Sequence, residues 1–265
     1  MSVTNDIAEQ LIRTTVKLTT DTGIGTGFFY KMKNTGTDFK PVIVTNRHVF
    51  ENTNNVSLSM TVNKDGLDEV RMLNITNLVG NIIYHPDDSI DLAVFPCPGI
   101  FQMLINEGYK LGNLFLEENL IPNEEQLQGL SAVEEVLVIG YPNGFMDEVN
   151  NRPIVRKGIT ASDYKLDYNG EPIFLTDSSI YAGSSGSPVL IYNRAGFASA
   201  DGAFTVSPRV LFLGINSAVL IQNLEGQIVE NNIPKNSGIN SRLPIGLGVT
   251  IKSNQLSAFE SLLPN

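Results

Sequence analysis

Short runs of alternating or β-branched residues, broken by Gly, Pro, Asn and Asp, dominate the chain from residue 15 onward. They predict strands at Thr15 to Thr19, Gly27 to Tyr30, Val42 to Thr45, Val56 to Val62, Asn81 to Tyr84 and Asp91 to Phe95. The later half repeats the pattern at Val136 to Ile139, Ile154 to Thr160, Ile173 to Thr176, Pro188 to Tyr192, Val210 to Ile215 and Leu247 to Ile251. So many short strands predict a barrel or sandwich. Helical spacing occurs at the two ends. Ile7, Ala8, Leu11 and Ile12 predict a short amphipathic helix with Asn5 as N-cap, and Ser253 precedes Leu256, Phe259, Leu262 and Leu263 on one helical face. Residues 101–135 fit neither period and read as a linker or insertion with one or two short helices.

Composition narrows the class. With 42% hydrophobic and 17% charged residues over 265 positions, the chain is globular and long enough for one large domain or two packed subdomains. A net charge of -10 argues against nucleic acid as a partner, since a phosphate-binding face needs clustered cations. Cys97 is the single cysteine, which excludes an intrachain disulfide and a cysteine zinc cluster and suits a reducing compartment. The amino terminus lacks an apolar signal-peptide core, and no apolar run approaches the roughly 18 residues of a membrane span. The expectation is a cytoplasmic protein with no membrane partner.

The candidate chemistry lies in Gly183-Ser184-Ser185-Gly186-Ser187-Pro188, a glycine-flanked serine turn leading into Val189-Leu190-Ile191. Alone it is ordinary turn chemistry. Two partners upstream change that: His48 in Thr45-Asn46-Arg47-His48-Val49 and Asp91 in Ser89-Ile90-Asp91-Leu92-Ala93. A serine hydroxyl needs a base to become a nucleophile, and the base needs an orienting acid; His, Asp, Ser is one known chain order of such a triad. Asp87 and Asp88 compete as the acid but lack apolar neighbours on both sides. His85, in Tyr84-His85-Pro86-Asp87, reads as a surface turn residue, and Cys97 as a buried small hydrophobe. Backbone N–H groups of Gly183 and Ser185 can face a developing oxyanion. No metal or cofactor is called for.

These residues resemble the trypsin-like (chymotrypsin-fold) serine peptidases, and within them the bacterial high-temperature-requirement (HtrA) branch. Gly25-Thr26-Gly27-Phe28, Thr45-Asn46-Arg47-His48-Val49 and Asp91-Leu92-Ala93-Val94 match in order, followed by Ile139-Gly140-Tyr141-Pro142, Gly158-Ile159-Thr160-Ala161, Thr176-Asp177 through Pro188, Gly214-Ile215-Asn216-Ser217-Ala218 and Gly246-Leu247-Gly248-Val249. The resemblance covers Val16 to Asn254. It implies an all-β fold of two packed six-stranded antiparallel barrels, with short terminal helices. The corresponding division is 1–14 helical segment, 15–100 first barrel, 101–135 linker, 136–252 second barrel and 253–265 terminal helix, with no residues left for a PDZ domain. By family position Ser179 lies near the base of the specificity pocket, and Asn216, Ser217 and Ala218 line it and pair with the substrate backbone. Ser179 is uncharged, so the resemblance implies a preference for small or apolar residues rather than Lys or Arg.

Two departures matter. Ser184 stands where secreted zymogens carry an aspartate that pairs with a newly cut amino terminus, and Ser187 replaces a usual glycine. Activation by that ion pair is therefore excluded, and restraint by a regulatory protein partner, by an oligomeric or disordered active-site loop or by narrow specificity is expected instead. The expected function is a serine endopeptidase acting on protein or peptide substrates; the alternative is a catalytically silent peptide-binding or scaffold module.

Overall fold

The computed structural model describes residues 6–33, 38–110, 115–230 and 233–263, with backbone alone between 221 and 245. The first half is an eight-stranded sheet made of β1 (Thr15–Thr20), β2 (Ile24–Met32), β3 (Lys40–Thr45), β4 (Asn55–Lys64), β5 (Leu67–Thr76), β6 (Ile83–Tyr84), β7 (Ala93–Pro96) and β8 (Leu116–Glu117). Its order is β5-β4-β1-β2-β3-β7-β6, and β8 joins β2 in parallel. The second half is a closed barrel, β10-β11-β16-β15-β12-β9, formed by β9 (Glu135–Gly140), β10 (Ile154–Thr160), β11 (Ile173–Asp177), β12 (Pro188–Asn193), β15 (Arg209–Glu230) and β16 (Ile233–Lys252). A small hairpin, β13 (Phe197–Ala198) and β14 (Phe204–Thr205), stands apart. The second half thus closes with six strands, while the first remains a sheet of eight.

Alternation explains most of this. In β4, Val56, Leu58, Met60 and Val62 are buried on one face while their neighbours face outward. β5 escapes the pattern because its first four residues are all exposed and apolar Leu67, Val70 and Met72 face outward, while of its apolar residues only Leu73 and Ile75 are half-buried against the core. β15 and β16 extend as a hairpin well past the barrel, much longer than the predicted Val210 to Ile215 and Leu247 to Ile251.

The ends differ in detail from the sequence expectation. Helix α1 (Ile7–Thr14) is capped by Asp6, whose side chain accepts from the Ala8 N–H; Asn5 lies outside the described residues. The C-terminal segment is a 3-10 helix, Ser253–Phe259, and Ser253 does not cap it. Its hydroxyl instead donates to the Phe212 carbonyl, 2.7 Å away, tying the tail to β15. Within 101–135, α2 (Pro98–Asn106) overlaps the start of the region and α3 (Glu124–Gly129) carries an Asn123/Gln126 capping box. This region is more than a spacer, because Phe101, Leu104 and Tyr109 pack into the core of the first half.

Three apolar clusters hold the molecule. One fills the first half, one fills the barrel, and the third joins them. The joining cluster takes Phe28, Val44 and Leu92 from one half and Ile139, Leu190 and Phe212 from the other, sealed by Leu256, Phe259 and Leu263 of the tail. Phe28 meets Phe212 edge-on at 5.4 Å.

Candidate active site

Asp91 precedes β7, and His48 lies in a single helical turn, Arg47–Phe50, that follows β3. Because β3 and β7 pair directly, Thr45 against Ala93, the sheet brings these two short segments together. The Asn46 amide donates to the Asp91 carbonyl at 2.8 Å and holds the turn against that segment. The His48 ring Nδ1 lies 2.7 Å from Asp91 Oδ2, and the His48 backbone N–H donates to Asp91 Oδ1 at 3.0 Å. Ser217, across the interface on β15, donates its hydroxyl to Asp91 Oδ2 at 2.5 Å. The carboxylate is therefore bound by three donors from two halves of the molecule.

The hydrogen bond to Asp91 raises the His48 pKa above its ordinary 6.5; burial opposes it and the Asp91 charge adds to it. For Asp91 burial pushes upward, but the bonds from His48 and Ser217 and the attraction of His48 leave it below the ordinary carboxylate value. Asp91 is thus ionised at neutral pH.

The serine turn hangs from the barrel and is clamped to the first half by Thr26. The Thr26 N–H donates to the Ser185 carbonyl at 2.8 Å, its hydroxyl donates to the Gly183 carbonyl at 2.8 Å, and the same oxygen accepts from the Tyr141 N–H. Gly186 has φ +86, and a Cβ there would lie 1.9 Å from the Thr26 carbonyl oxygen, so only glycine permits this approach. Ser187 is fully buried. Its hydroxyl fits because position 140 is glycine, where a Cβ would lie 2.0 Å from it. Ser184 is also fully buried, its carbonyl accepting from the Asn216 amide at 3.1 Å.

Ser185 is half-buried, and its hydroxyl donates to the Ser217 carbonyl at 3.1 Å rather than to His48. Ser217 thus touches both Asp91, through its hydroxyl, and Ser185, through its carbonyl. Gly183 has φ +80, and among the described residues its N–H and that of Ser185 meet no acceptor.

Of the remaining site residues, Asn216 is buried and spends its backbone N–H and C=O on Ser187 and Gly186, beneath the turn. Ala218 is exposed on the far side of Ser217. Ser179 is exposed, with φ +50, and its carbonyl accepts from Arg156 at 2.9 Å. His85 departs from its reading as a surface residue: it is buried, accepts the Asp87 N–H at 3.1 Å and meets Phe259 edge-on, because the C-terminal segment covers it. Asp87 binds Ser89, and Asp88 pairs with Arg47, so neither reaches His48. Cys97 is buried, and burial pushes its thiol far above the ordinary range. No group of metal-ligating side chains is found among the described residues.

Thr26, Asn46 and Arg156 escaped the sequence reading as site residues. Thr26 had a signal in its place between two glycines, and Asn46 in its place before His48; Arg156 had none.

A family model described as a trypsin-like peptidase domain matches residues 25–196. Among solved structures, the chain is similar to the HtrA-type protease AlgW with tripeptide, at 17% identity and a TM-score of 0.51, over 96% of this chain and 62% of that one. It is also similar to the Rv3671c protease of M. tuberculosis in an inactive form, at 15% identity and a TM-score of 0.48, over 99% of this chain and 95% of that one. No curated protein matches it by sequence.

Proposed function

Since the chain belongs to the trypsin-like peptidase domain family, we propose that it is a serine endopeptidase in which Ser185 is the nucleophile, His48 the general base and acid, and Asp91 the orienting acid. The observation that carries this reading is the Asp91 carboxylate, bound by His48 and by Ser217, whose carbonyl in turn holds the Ser185 hydroxyl.

The Asp91 bond leaves Nδ1 of His48 protonated and Nε2 free to take the serine proton. Ser185 Oγ then adds to the scissile carbonyl, and the new alkoxide is met by the N–H groups of Gly183 and Ser185. Collapse expels the amine, which receives its proton from His48, and leaves an acyl-enzyme. Water, deprotonated by His48, adds to the ester and releases the acid. No cofactor takes part.

The resting contact of Ser185 with the Ser217 carbonyl has a role in this scheme. A substrate strand laid along β15 at Ser217 and Ala218 places a backbone N–H on that carbonyl, and the serine hydroxyl then turns to His48. Substrate binding itself completes the triad. Since Ser184 removes the zymogen ion pair, restraint comes from this requirement, or from a regulatory partner, and not from chain cleavage. A lone, buried Cys97 and the absence, among the described residues, of a helix able to span a membrane fit a cytoplasmic setting.

The second reading, a silent peptide-binding module, draws on the same serine contact, because a hydroxyl bound to a carbonyl is not activated. A fluorophosphonate probe separates the two. Wild type is expected to be labelled and Ser185→Ala not; a folded wild type that resists labelling with and without added peptide refutes the peptidase. Denatured casein tests the restraint, which fails if the purified chain degrades it freely.

A further inference from the structure

Arg156 sits in the middle of β10, where outward positions alternate with half-buried ones. Its Nη1 donates to the Ser179 carbonyl at 2.9 Å, while Nε and Nη2 are enclosed and without a partner among the described residues. A guanidinium removed from water is ordinarily paired with an anion, since leaving it unpaired costs several kcal/mol. This chain carries 28 acidic residues, and none of the described ones forms an ion pair with Arg156. The ionisable neighbour it feels is the Tyr181 phenol, and although burial lowers its pKa to about 10, it remains a cation at neutral pH.

The position matters more than the charge alone. The loop that Arg156 holds runs from Ser179 directly to Ser185, and Ser179, Tyr181 and Ala182 are exposed. Ile180, between them, is buried in the barrel cluster with Val219 beside it, and packs so closely on Gly248 that a Cβ there would lie 2.7 Å from it. Ile180 thus fills the barrel interior beside Gly248, and Ser179, Tyr181 and Ala182 form the exposed part of this loop.

We propose that Arg156 receives a carboxylate of the peptide substrate, that of a Glu or Asp side chain immediately before the scissile bond. This rests on the peptidase reading and replaces the small or apolar preference with an acidic one. The carboxylate supplies the anion that Arg156 lacks among the described residues, meeting the guanidinium at its Nη1 edge beside the exposed Ser179. Arg156 acts as a specificity residue for the substrate and takes no part in proton transfer.

Binding to the Ser185→Ala protein tests this without requiring turnover. An acetylated tetrapeptide ending in Glu-amide is expected to bind about 10-fold or more tighter than its Gln-amide counterpart by calorimetry, and Ser185→Ala/Arg156→Gln to abolish the difference. Arg156→Lys should keep part of it, because it keeps the charge but not the fork. Equal binding of the Glu and Gln amides, or a discrimination untouched by Arg156→Gln, overturns the proposal. In turnover, Arg156→Gln should raise KM for Glu substrates about 10-fold or more and alter Gln substrates less than about 3-fold; an equal loss on both marks a purely structural residue. Fluorophosphonate labelling of the wild type, lost in Ser185→Ala, keeps failure of this proposal distinct from failure of the peptidase reading.

Discussion

Asp91 draws its importance from the number of donors that converge on it. Replacing it with Asn keeps the shape but removes the charge and offers His48 the wrong tautomer, so kcat/KM is expected to fall by about 10³- to 10⁴-fold with little change in KM. Titration of His48 by NMR should move down toward 6.5 in the same variant. In wild type the raised His48 pKa sets the acid limb: kcat/KM should decline as pH drops through a value above 6.5, because only neutral His48 accepts the serine proton. The stability signs are opposite for the two partners. The His48 contribution is full below 6.5 and disappears as pH rises through its raised folded value; that of Asp91 is present above its ordinary 3.8 and disappears as pH falls through its lowered one. Urea titrations of wild type and Asp91→Asn across pH 3 to 9 check both.

At the scale of elements, the serine turn depends on Thr26 of β2 more than on anything within itself. Thr26→Val keeps the volume but strands the Gly183 carbonyl and the Tyr141 N–H, which should cost about 1–3 kcal/mol and slow probe labelling of Ser185. Gly186→Ala meets the Thr26 carbonyl at an impossible distance and a positive φ, and should destabilise by at least about 2 kcal/mol in urea melts. β3, β4 and β12 were legible because one face of each is buried or because an unbroken apolar run marks them. β5 was not, since apolar residues on its exposed face, Leu67, Val70 and Met72, blur the alternation that Leu73 and Ile75 would show; nor was the length of the β15–β16 hairpin, which runs past the barrel that would impose alternation.

For the whole molecule, the decisive layer is the apolar cluster between the halves, because Asp91 and Ser185 come from opposite sides of it. Phe259 seals that cluster and covers His85, so Phe259→Ala should cost about 3–5 kcal/mol. The shared cluster also predicts that both halves unfold together. Near-UV circular dichroism and calorimetry should report one transition in wild type, and two separated transitions would show that the interface does not couple them.

Strand alternation, the glycine-flanked serine turn and the order His48, Asp91, Ser185 were determined by local sequence, since each depends on neighbours a few residues away or on motif order along the chain. What the tertiary structure decided is everything that joins residues distant in sequence. It placed Ser217 as the link between Asp91 and Ser185, made Thr26 the clamp of the serine turn, buried His85 beneath the tail and left the half-buried Arg156 without an acid among the described residues. None of these has a local signature, because a hydrogen bond across 126 residues, such as that from Ser217 to Asp91, is set by how two β layers pack and not by the residues on either side.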